Sequence, residues 1–555
     1  MAVDAPPSSP EPLPAAQTGT DDAALVQATG QAPSVSLEVS CREERKRKRK
    51  AERSALLPFA VISCSYLLFT VTDGALRMIV LLHAYNLKFS ALQVAIMFVL
   101  YELAGVFTNL FAGMAGARWG IKYTLVIGLC LQLITYGLLF AWNERWAQGQ
   151  AIAYVTVVQM FGGVAKDLTK LGGKTVTKLV TPDEQSTRLF KLVSLLTGWK
   201  NSLKGVGYFL GSALILVSYY LALSVMLGLV LLALPFAIFG LDRNLGTAKK
   251  KNASLGEILD LKNQNLNWLS LARLFLFASR DFWFEVPLPF FLRAPSCTSI
   301  GLPCATDGSD CAAGTYCFAS TNATTGVCAN LNPGGGCGGV AWPRVVVGAV
   351  LGSYIILYGQ FQSWTPQLVT SPLKQTPPNK LTEVLWGLLN CVPTLVMAIV
   401  AWDLSNDATR DPVVIGSWLI AVIASFALIF AVNSSIHSYL VVHYAKKEKV
   451  AASVGFYYMS NAVGRLLGTL GSGLIYTYVG EDIGPLAGSD GLRGLAACFV
   501  AGTISSLLAA GITMRIEDQQ AGVRCGPIIC VRPSTLSPRP SEKLDQADTV
   551  EPATS

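Results

Sequence analysis

The chain has 555 residues, of which 52% are hydrophobic and only 14% charged, and its mean hydropathy is +0.46. Soluble domains carry about a quarter charged residues, so this composition disfavours a soluble globular protein. Repeated apolar runs of about 20 residues indicate membrane-spanning helices. The formal net charge of +8 is expected to come mainly from basic cytoplasmic loops, and nucleic-acid binding is not expected.

Residues 1–54 form a polar lead rich in Pro, Ala and Ser, with a basic run from Arg45 to Lys50 near its end. The lead has no apolar core, which argues against a cleavable signal peptide. We expect a disordered cytoplasmic tail, held on that side by the basic run. A nuclear-localisation signal is the alternative interpretation of the run, and twelve predicted spans disfavour it.

The apolar runs predict an all-α membrane protein with twelve transmembrane helices in two six-helix halves. An even number of helices places both termini in the cytoplasm, and the lysine-rich loops agree with that orientation. The first six predicted spans are residues 55–82, 91–113, 121–142, 150–172, 189–217 and 219–241. The last six are residues 265–293, 341–363, 382–402, 413–443, 450–478 and 493–514.

The predicted domain organisation follows from these spans. Residues 55–241 form the N-terminal half and residues 265–514 the C-terminal half, with a basic cytoplasmic loop at 242–264 between them. Residues 515–555 are expected to form a second disordered cytoplasmic tail.

The fifth and eleventh spans contain a weak internal repeat, NSLKGVGYFLGSAL and NAVGRLLGTLGSGL. Similarity between halves is expected where two six-helix repeats surround a midplane binding site. The shared positions are Asn201 and Asn461, Gly211 and Gly471, and Ser212 and Ser472.

The segment 295–340 is rich in cysteine and lies in a loop that the topology places on the non-cytoplasmic side, where disulfides persist. Its six cysteines predict three disulfides, for which 15 pairings can be drawn. A zinc site is the alternative, but the segment has no histidine and no C-x-x-C pair. Asn322 begins a glycosylation sequon in this loop. The cysteines are Cys297, Cys304, Cys311, Cys317, Cys328 and Cys337.

Charged residues inside the predicted spans are the strongest functional signal, because a charge near the bilayer centre costs about 2.5–3.5 kcal/mol even on insertion scales. Lys166, Lys170, Lys174 and Lys178 recur every four residues, which places them on one helix face. The last two lie beyond the hydrocarbon region and are expected to be ordinary positive-inside residues. Lys170, near the boundary, and Lys191 and Arg273, near the starts of their spans, are expected to reach the interface by snorkelling.

Basic residues outnumber acidic ones eight to five in the intramembrane set, and the set includes Glu102 and Asp167. A surplus of buried positive charge favours an anionic substrate, and arginine suits phosphate-like oxyanions. The alternative is a structural role, such as Arg280 pairing with neighbouring helices. The predicted substrate-binding residues are Arg77, Lys166, Lys170, Lys200, Lys204, Arg280, Arg465, Asn201 and Asn461. The predicted proton-coupling residues are Asp73, Asp281 and Glu285. The histidines His83, His437 and His443 suggest no metal site, and no cofactor is expected.

Five segments of the predicted spans and their loops are TDGALRM (72–78), YELAGVFTNLFAGMAGARWGIK (101–122), AKDLTKL (165–171), KNSLKGVGYFLG (200–211) and ARLFLFASRDFWFEVPLPFFL (272–292). Together they closely resemble the ArsJ family, organoarsenical efflux permeases of the major facilitator superfamily. The family pattern lacks the cysteine-rich loop and the long tails. In the loop after the second span, Gly116 and Ala117 stand where the superfamily usually has an acidic residue.

The resemblance implies a major facilitator fold and export of 1-arseno-3-phosphoglycerate, which gives arsenate resistance. Glyceraldehyde-3-phosphate dehydrogenase makes this ester when arsenate replaces phosphate, so a functional link to that enzyme is implied. We further expect proton-coupled alternating access by a monomer in the plasma membrane, with the lipid bilayer and an anionic small molecule as partners and no enzymatic activity.

Three alternative functions stay open at this point. A transporter of sugar phosphates or phosphoglycerate needs the same charges. A transporter-like receptor would use the disulfide loop as its ectodomain. Asp73 and Asp281 also suggest an intramembrane aspartyl protease, but neither lies in the expected Gly-Xaa-Gly-Asp element.

Overall fold

The fold was determined as a computed structural model, which describes the chain in nine ranges. The predicted tail 1–54, nearly all of the central loop 242–264, the sequon at Asn322 and most of the tail 515–555 lie outside the described residues. The ranges are 64–119, 121–180, 186–240, 263–319, 325–407, 411–444, 450–517, 524–525 and 530–531.

Helical segments occur at each of the twelve predicted positions, and we name them spans 1 to 12 in chain order. The prediction of an all-α membrane protein is therefore confirmed. In the N-terminal half, span 1 is Cys64–Asn86, span 2 Ala91–Met97 with Val99–Trp119, span 3 Ile121–Leu139, span 4 Gln148–Val180, span 5 Ser186–Val217 and span 6 Tyr219–Phe239.

The spans of the C-terminal half are more often interrupted. Span 7 breaks just before Pro287, because proline lacks an N–H donor and restricts the residue that precedes it. Span 7 is Gln264–Phe284 with Pro287–Arg293, span 8 Arg344–Thr365 with the π-helical turn Pro366–Thr370, span 9 Lys380–Leu389 with Cys391–Ser405, span 10 Pro412–Tyr444, span 11 Val450–Tyr478 and span 12 Gly491–Thr513.

By length and apolar composition, eight of these spans qualify as membrane-crossing helices within the part of the chain that the structure describes. Spans 4, 5, 7 and 11 do not, although each has at least 21 helical residues. These four spans hold six of the seven predicted substrate-binding cations. These four spans are therefore less hydrophobic than the other eight because they carry the polar residues of the predicted site, and not because their helices are short.

The two halves meet where span 5 packs on span 8 and span 2 packs on span 11. Glycines allow the first crossing to be close. A Cβ atom added at Gly352 would lie 2.8 Å from the Gly205 carbonyl oxygen, and one added at Gly359 would lie 2.5 Å from that of Gly198. Small residues at membrane helix crossings permit this kind of backbone contact.

The internal repeat coincides with equivalent crossings inside each half. A Cβ atom at Gly211 of span 5 would lie 2.7 Å from the Ala75 carbonyl oxygen of span 1. A Cβ atom at Gly471 of span 11 would lie 2.7 Å from the Phe282 ring of span 7. The shared glycines thus serve the same packing role in the two halves.

The cysteine-rich segment, called here the insert (residues 295–340), folds as a small antiparallel sheet. Strand β1 is Pro303–Ala305, β2 Thr315–Phe318 and β3 Thr325–Asn330, in the order β1-β3-β2. The predicted disulfide framework is confirmed. Because all six sulfur atoms are in disulfides, the thiolates that a zinc site needs are absent from this segment. The pairs are Cys297–Cys337, Cys304–Cys317 and Cys311–Cys328.

The insert packs at one end of the helical bundle, which we call the insert end. In the loop before span 12, β4 (Asp482–Gly484) pairs with β5 (Gly488–Ser489), and Cys337 bridges to Asp490 beside them. The Asn332 side chain donates to the carbonyl oxygens of Tyr85 (3.2 Å), at the end of span 1, and Phe89 (3.0 Å), in the loop that follows. The insert therefore contacts both halves. A last strand pair, β6 (Arg524–Cys525) with β7 (Cys530–Val531), follows span 12.

Candidate functional site

Two buried glutamates, Glu102 of span 2 and Glu285 at the break of span 7, are joined by one arginine of span 1. The Arg77 Nη2 atom lies 2.5 Å from Glu102 Oε1, and its Nη1 atom lies 2.6 Å from Glu285 Oε2. The planar guanidinium can address two acceptors in fixed directions. Arg77 therefore links a carboxylate of the N-terminal half to one of the C-terminal half.

Arg465 of span 11 makes the corresponding link from the C-terminal half. Its Nη2 atom lies 2.8 Å from Glu102 Oε1 and 3.3 Å from Glu285 Oε1. Its Nε atom lies 3.4 Å from Asp281 Oδ2. Each half thus contributes an arginine that contacts the same two glutamates.

Three further cations surround these carboxylates. Arg280 places Nε and Nη2 each 2.6 Å from Asp281 Oδ1, and its Nη2 atom 3.7 Å from Glu285 Oε1. Lys166 Nζ lies 3.6 Å from Glu102 Oε2, and Lys204 Nζ lies 4.0 Å from Glu285 Oε1.

We call this group the central network. It contains five cations and three carboxylates, a surplus of two positive charges when all are ionised. Its members are Arg77, Glu102, Lys166, Lys204, Arg280, Asp281, Glu285 and Arg465.

Aromatic rings cover the cations of the central network. Lys166 Nζ lies 3.9 Å from the centre of the Tyr101 ring, and the Arg77 guanidinium lies 4.7 Å from that of Phe98. A cation over an aromatic face is stabilised by the ring quadrupole, and the effect grows when water is excluded. The rings thus help to keep the surplus cations inside the protein.

The remaining predicted substrate-binding residues have no direct ion pair with the central network. Lys170 contacts Asp167 Oδ1 at 3.2 Å and donates to Asn109, so it is paired inside the protein and is not snorkelling. Asn201 donates to Gln362 of span 8 at 2.7 Å. The buried side-chain oxygen of Asn461 has no hydrogen-bond partner among the described residues.

Lys200 differs from the other cations of the site. No carboxylate oxygen of the described residues lies within 4.0 Å of its Nζ atom, the limit that defines an ion pair. Its strongest charged neighbours are two lysines, Lys170 and Lys204, together with Arg465. These neighbours repel a positive charge at Lys200, whereas Asp73, a weaker charged neighbour, attracts it.

The predicted proton-coupling carboxylates occupy two different environments. Asp281 and Glu285 belong to the central network and contact its arginines. Asp73 accepts a hydrogen bond of 2.5 Å from the Tyr101 hydroxyl, with no Lys or Arg nitrogen within 4.0 Å in the described ranges.

Two residues differ from what the sequence predicts. Glu102 is an intramembrane charge that is not among the predicted site residues, yet it contacts three cations. A glutamate inside the apolar run of span 2 is the sequence feature that indicates a functional role for Glu102. The expectation that Arg273 snorkels is wrong, since the residue is only 3% exposed. Its guanidinium lies 3.9 Å from the centre of the Phe277 ring, which covers it inside the protein.

Comparison with known proteins agrees with this architecture. Residues 59–326 match the sequence model of the Major Facilitator Superfamily. No curated protein gives a significant sequence match to the chain. The chain is a multi-pass membrane protein, as its apolar spans predict.

Solved structures of two transporters share the fold. The nucleoside transporter NupG (D323A mutant) is 14% identical with a TM-score of 0.54, and the match covers 83% of this chain and 99% of NupG. A bacterial homologue of the human drug peptide transporters PepT1 and PepT2 is 12% identical with a TM-score of 0.52, covering 82% and 96%. At these identities the likeness concerns the fold, and the predicted major facilitator fold is confirmed.

Proposed function

We propose that this chain is a transporter for a small organic molecule with an anionic group at each end. The observation that carries the proposal is the central network, in which two buried and three half-buried cations from both halves face three buried carboxylates. Buried charge of this amount is costly in a membrane protein and indicates a substrate or ion pathway. An anion is the ligand that balances the surplus.

The arginines of the network suit a phosphate or arsenate group. Arg77 and Arg465 each contact two glutamates, so a substrate oxyanion can take the place of a carboxylate in the guanidinium fork. The replaced carboxylates come from different halves. Substrate binding therefore breaks ion pairs between the two halves and forms ion pairs between each half and the substrate. Differential contacts of this kind are what allow a ligand to shift a conformational equilibrium.

The substrate that we propose is 1-arseno-3-phosphoglycerate, exported to give arsenate resistance. The resemblance of spans 1, 2, 4, 5 and 7 to organoarsenical efflux permeases supports it, and it gives the link to glyceraldehyde-3-phosphate dehydrogenase. The ester has two oxyanion ends, which matches cations contributed by two halves. Ordinary phosphoglycerate or sugar phosphates are the second candidate, because they present the same charges to the same residues.

Orientation and coupling are part of the proposal. Three disulfides in the insert favour a non-cytoplasmic insert end, with both termini in the cytoplasm and the protein in the plasma membrane. Asp73, Asp281 and Glu285 are proposed to couple protons. Substrate that binds Arg280 or Arg465 would free Asp281 and Glu285 from those cations, so the same residues can link substrate and proton occupancy.

The test is arsenic efflux from arsenate-sensitive cells without their own glyceraldehyde-3-phosphate dehydrogenase. Cells receive the transporter, the dehydrogenase or both, and we expect efflux only with both. Equal efflux with the transporter alone would indicate export of arsenate itself. Phosphoglycerate transport without arsenic efflux would favour the second candidate, and binding without any flux would favour a receptor.

A matched pair of variants connects this test to the central network. Arg280→Lys keeps the charge and removes the bidentate fork beside Asp281, so efflux is expected to fall by about tenfold or more at unchanged expression. Arg493→Lys makes the same chemical change at an exposed pair with Glu481 at the insert end, and efflux is expected to stay at the wild-type level.

A further inference from the structure

A second pair of buried titratable groups lies in the C-terminal half, outside the central network. Glu383 of span 9 is 2% exposed and His437 of span 10 is fully buried. The His437 Nε2 atom lies 3.2 Å from Glu383 Oε1. None of the functional candidates above uses this pair, although burying a carboxylate and an imidazole together is costly unless they serve each other or a ligand.

The partners of Glu383 distinguish it from the other buried carboxylates. Within the described ranges, no Lys or Arg nitrogen lies within 4.0 Å of it, and the basic group that contacts it is the imidazole of His437. The Asn433 amide, in its hydrogen-bonding orientation, donates to Glu383 and accepts from the Gly387 backbone N–H. The contact partner of this glutamate is thus an imidazole, which carries a positive charge only when both of its ring nitrogens are protonated.

The pair and the titratable groups that face it come from spans 7, 9, 10 and 11. Tyr457 of span 11 places its hydroxyl 3.4 Å from His437 Nδ1. Arg273 of span 7 acts electrostatically on both Glu383 and His437, and its guanidinium lies 5.1 Å from the centre of the Tyr457 ring. One carboxylate, one guanidinium and one imidazole therefore share this site, and its net charge depends on protonation of Glu383 or His437.

Hydrogen bonds connect this site to the interface between the halves. Arg273 Nη1 donates to Ser434 Oγ of span 10 at 3.4 Å, and Gln362 Nε2 of span 8 donates to the same oxygen at 3.3 Å. Gln362 Oε1 in turn accepts from Asn201 of span 5 at 2.7 Å. The path runs from the C-terminal half into the N-terminal half and ends at the residue next to Lys200.

A direct hydrogen bond joins spans 5 and 10 near this path. Ser435, two residues before His437, makes a 2.5 Å hydrogen bond with Ser194 of span 5. Three hydroxyls, two amides and a guanidinium therefore make the position of span 10 sensitive to that of span 5. A change of charge at His437 acts on a span that already takes part in the contact between the halves.

We propose that Glu383 and His437 form a proton-binding site that is separate from the central network and coupled to the interface of spans 5, 8 and 10. The ligand is a proton from water, which adds to the carboxylate or the imidazole and raises the charge of the site by one. The proposal deepens the transport function and rests on it for its coupling part. Proton binding itself can be measured without any substrate.

The first test uses the purified full-length protein in detergent, with no substrate. The midpoint of thermal unfolding is recorded from about pH 5 to about pH 8 for the wild type, Glu383→Gln and His437→Gln. Glutamine keeps the approximate size and hydrogen bonding of each side chain and removes its titration. We expect each variant to lose most of the pH-dependent change in midpoint, and the exposed control Glu481→Gln to retain it. Profiles for both variants that superimpose on the wild type would overturn the proposal.

The second test separates proton coupling from substrate movement in proteoliposomes with radiolabelled 3-phosphoglycerate. We expect Glu383→Gln to exchange substrate across the membrane at near the wild-type rate. The rate of its transport driven by a pH gradient is expected to fall by about tenfold or more. Undiminished gradient-driven transport by this variant would overturn the coupling. If the wild type moves neither phosphoglycerate nor the arsenoester, the proposed function fails, and the substrate-free pH profiles alone decide whether the proton site exists.

Discussion

The central network and the insert both connect the two halves, but they do so with different interactions. In the central network, Arg77 and Arg465 hold Glu102 and Glu285 through ion pairs of 2.5–3.3 Å. At the insert end, the neutral Asn332 amide donates to two backbone carbonyls. An anionic ligand can compete for the first kind of contact, whereas the second offers it no charge.

This difference separates a connection that a substrate can open from one that supports the fold. Buried ion pairs are weak evidence for stability, because desolvation offsets most of their attraction. A disulfide restricts the unfolded chain and stabilises the fold by about 2–4 kcal/mol. We therefore expect changes in the network to affect anion binding most clearly, and changes in the insert to affect stability without changing anion affinity.

The largest expected effect on stability comes from Glu285→Ala. It leaves Arg77 and Arg280 facing each other without the carboxylate between them, and breaking a buried pair in this way costs about 3–5 kcal/mol. Fluorescence-detected size exclusion and thermal unfolding measure the loss.

A ligand and a control variant make the result for Glu285→Ala specific. Added 3-phosphoglycerate is expected to raise the midpoint of thermal unfolding of Glu285→Ala part of the way to the wild-type value, because it supplies the missing negative charge. The exposed control Glu481→Ala is expected to change stability by less than about 1 kcal/mol. Equal losses for the two variants would show that the ion pairs of the network have no special role in the fold.

Removing the disulfide Cys297–Cys337 is expected to lower the free energy of unfolding by about 2–4 kcal/mol. The double variant Cys297→Ser/Cys337→Ser is compared with Cys64→Ser, which removes an exposed free cysteine. Thermal unfolding measures stability, and anion affinity in the folded fraction is expected to stay unchanged. A fall in affinity as large as that of Arg280→Lys would remove the proposed distinction between the two regions.

Asn332→Ala removes both hydrogen bonds to the carbonyls of Tyr85 and Phe89, and we expect a cost of about 1–3 kcal/mol. The matched control is Asn265→Ala, whose half-buried side chain makes solvent-exposed hydrogen bonds with the backbone of Glu517. Because Asn332 joins the halves, we also expect faster hydrogen exchange in residues 85–90. Unchanged exchange there would mean that other contacts hold the insert end closed.

Lys200→Met is expected to have the smallest effect on stability and the opposite sign. Lys200 has lysine neighbours and no carboxylate within ion-pair distance in the described ranges, so removing its charge relieves repulsion. We expect the unfolding midpoint to stay the same or rise while anion affinity falls. A loss of stability at unchanged affinity would argue against an anion beside this lysine.

The positions of the spans and the existence of three disulfides followed from the sequence. Apolar length is a local property, because every buried backbone group in a membrane helix bonds within its own segment. The six cysteines of the insert stand close together in the chain, which indicated pairing but left 15 arrangements open. The cations of spans 4, 5, 7 and 11 were visible because membrane helices rarely retain charges without a function.

Only the tertiary structure decided how these charges combine. Arg77 meets Glu285 across 208 residues of chain, and Arg465 meets Glu102 across 363 residues. No local pattern encodes such pairs, so the sequence alone does not identify Glu102 as a site residue or Arg273 as buried. The same holds for His437, since its partner Glu383 lies on another span. Which cation meets which carboxylate depends on how the spans cross, and that depends on glycine contacts and helix breaks throughout the bundle.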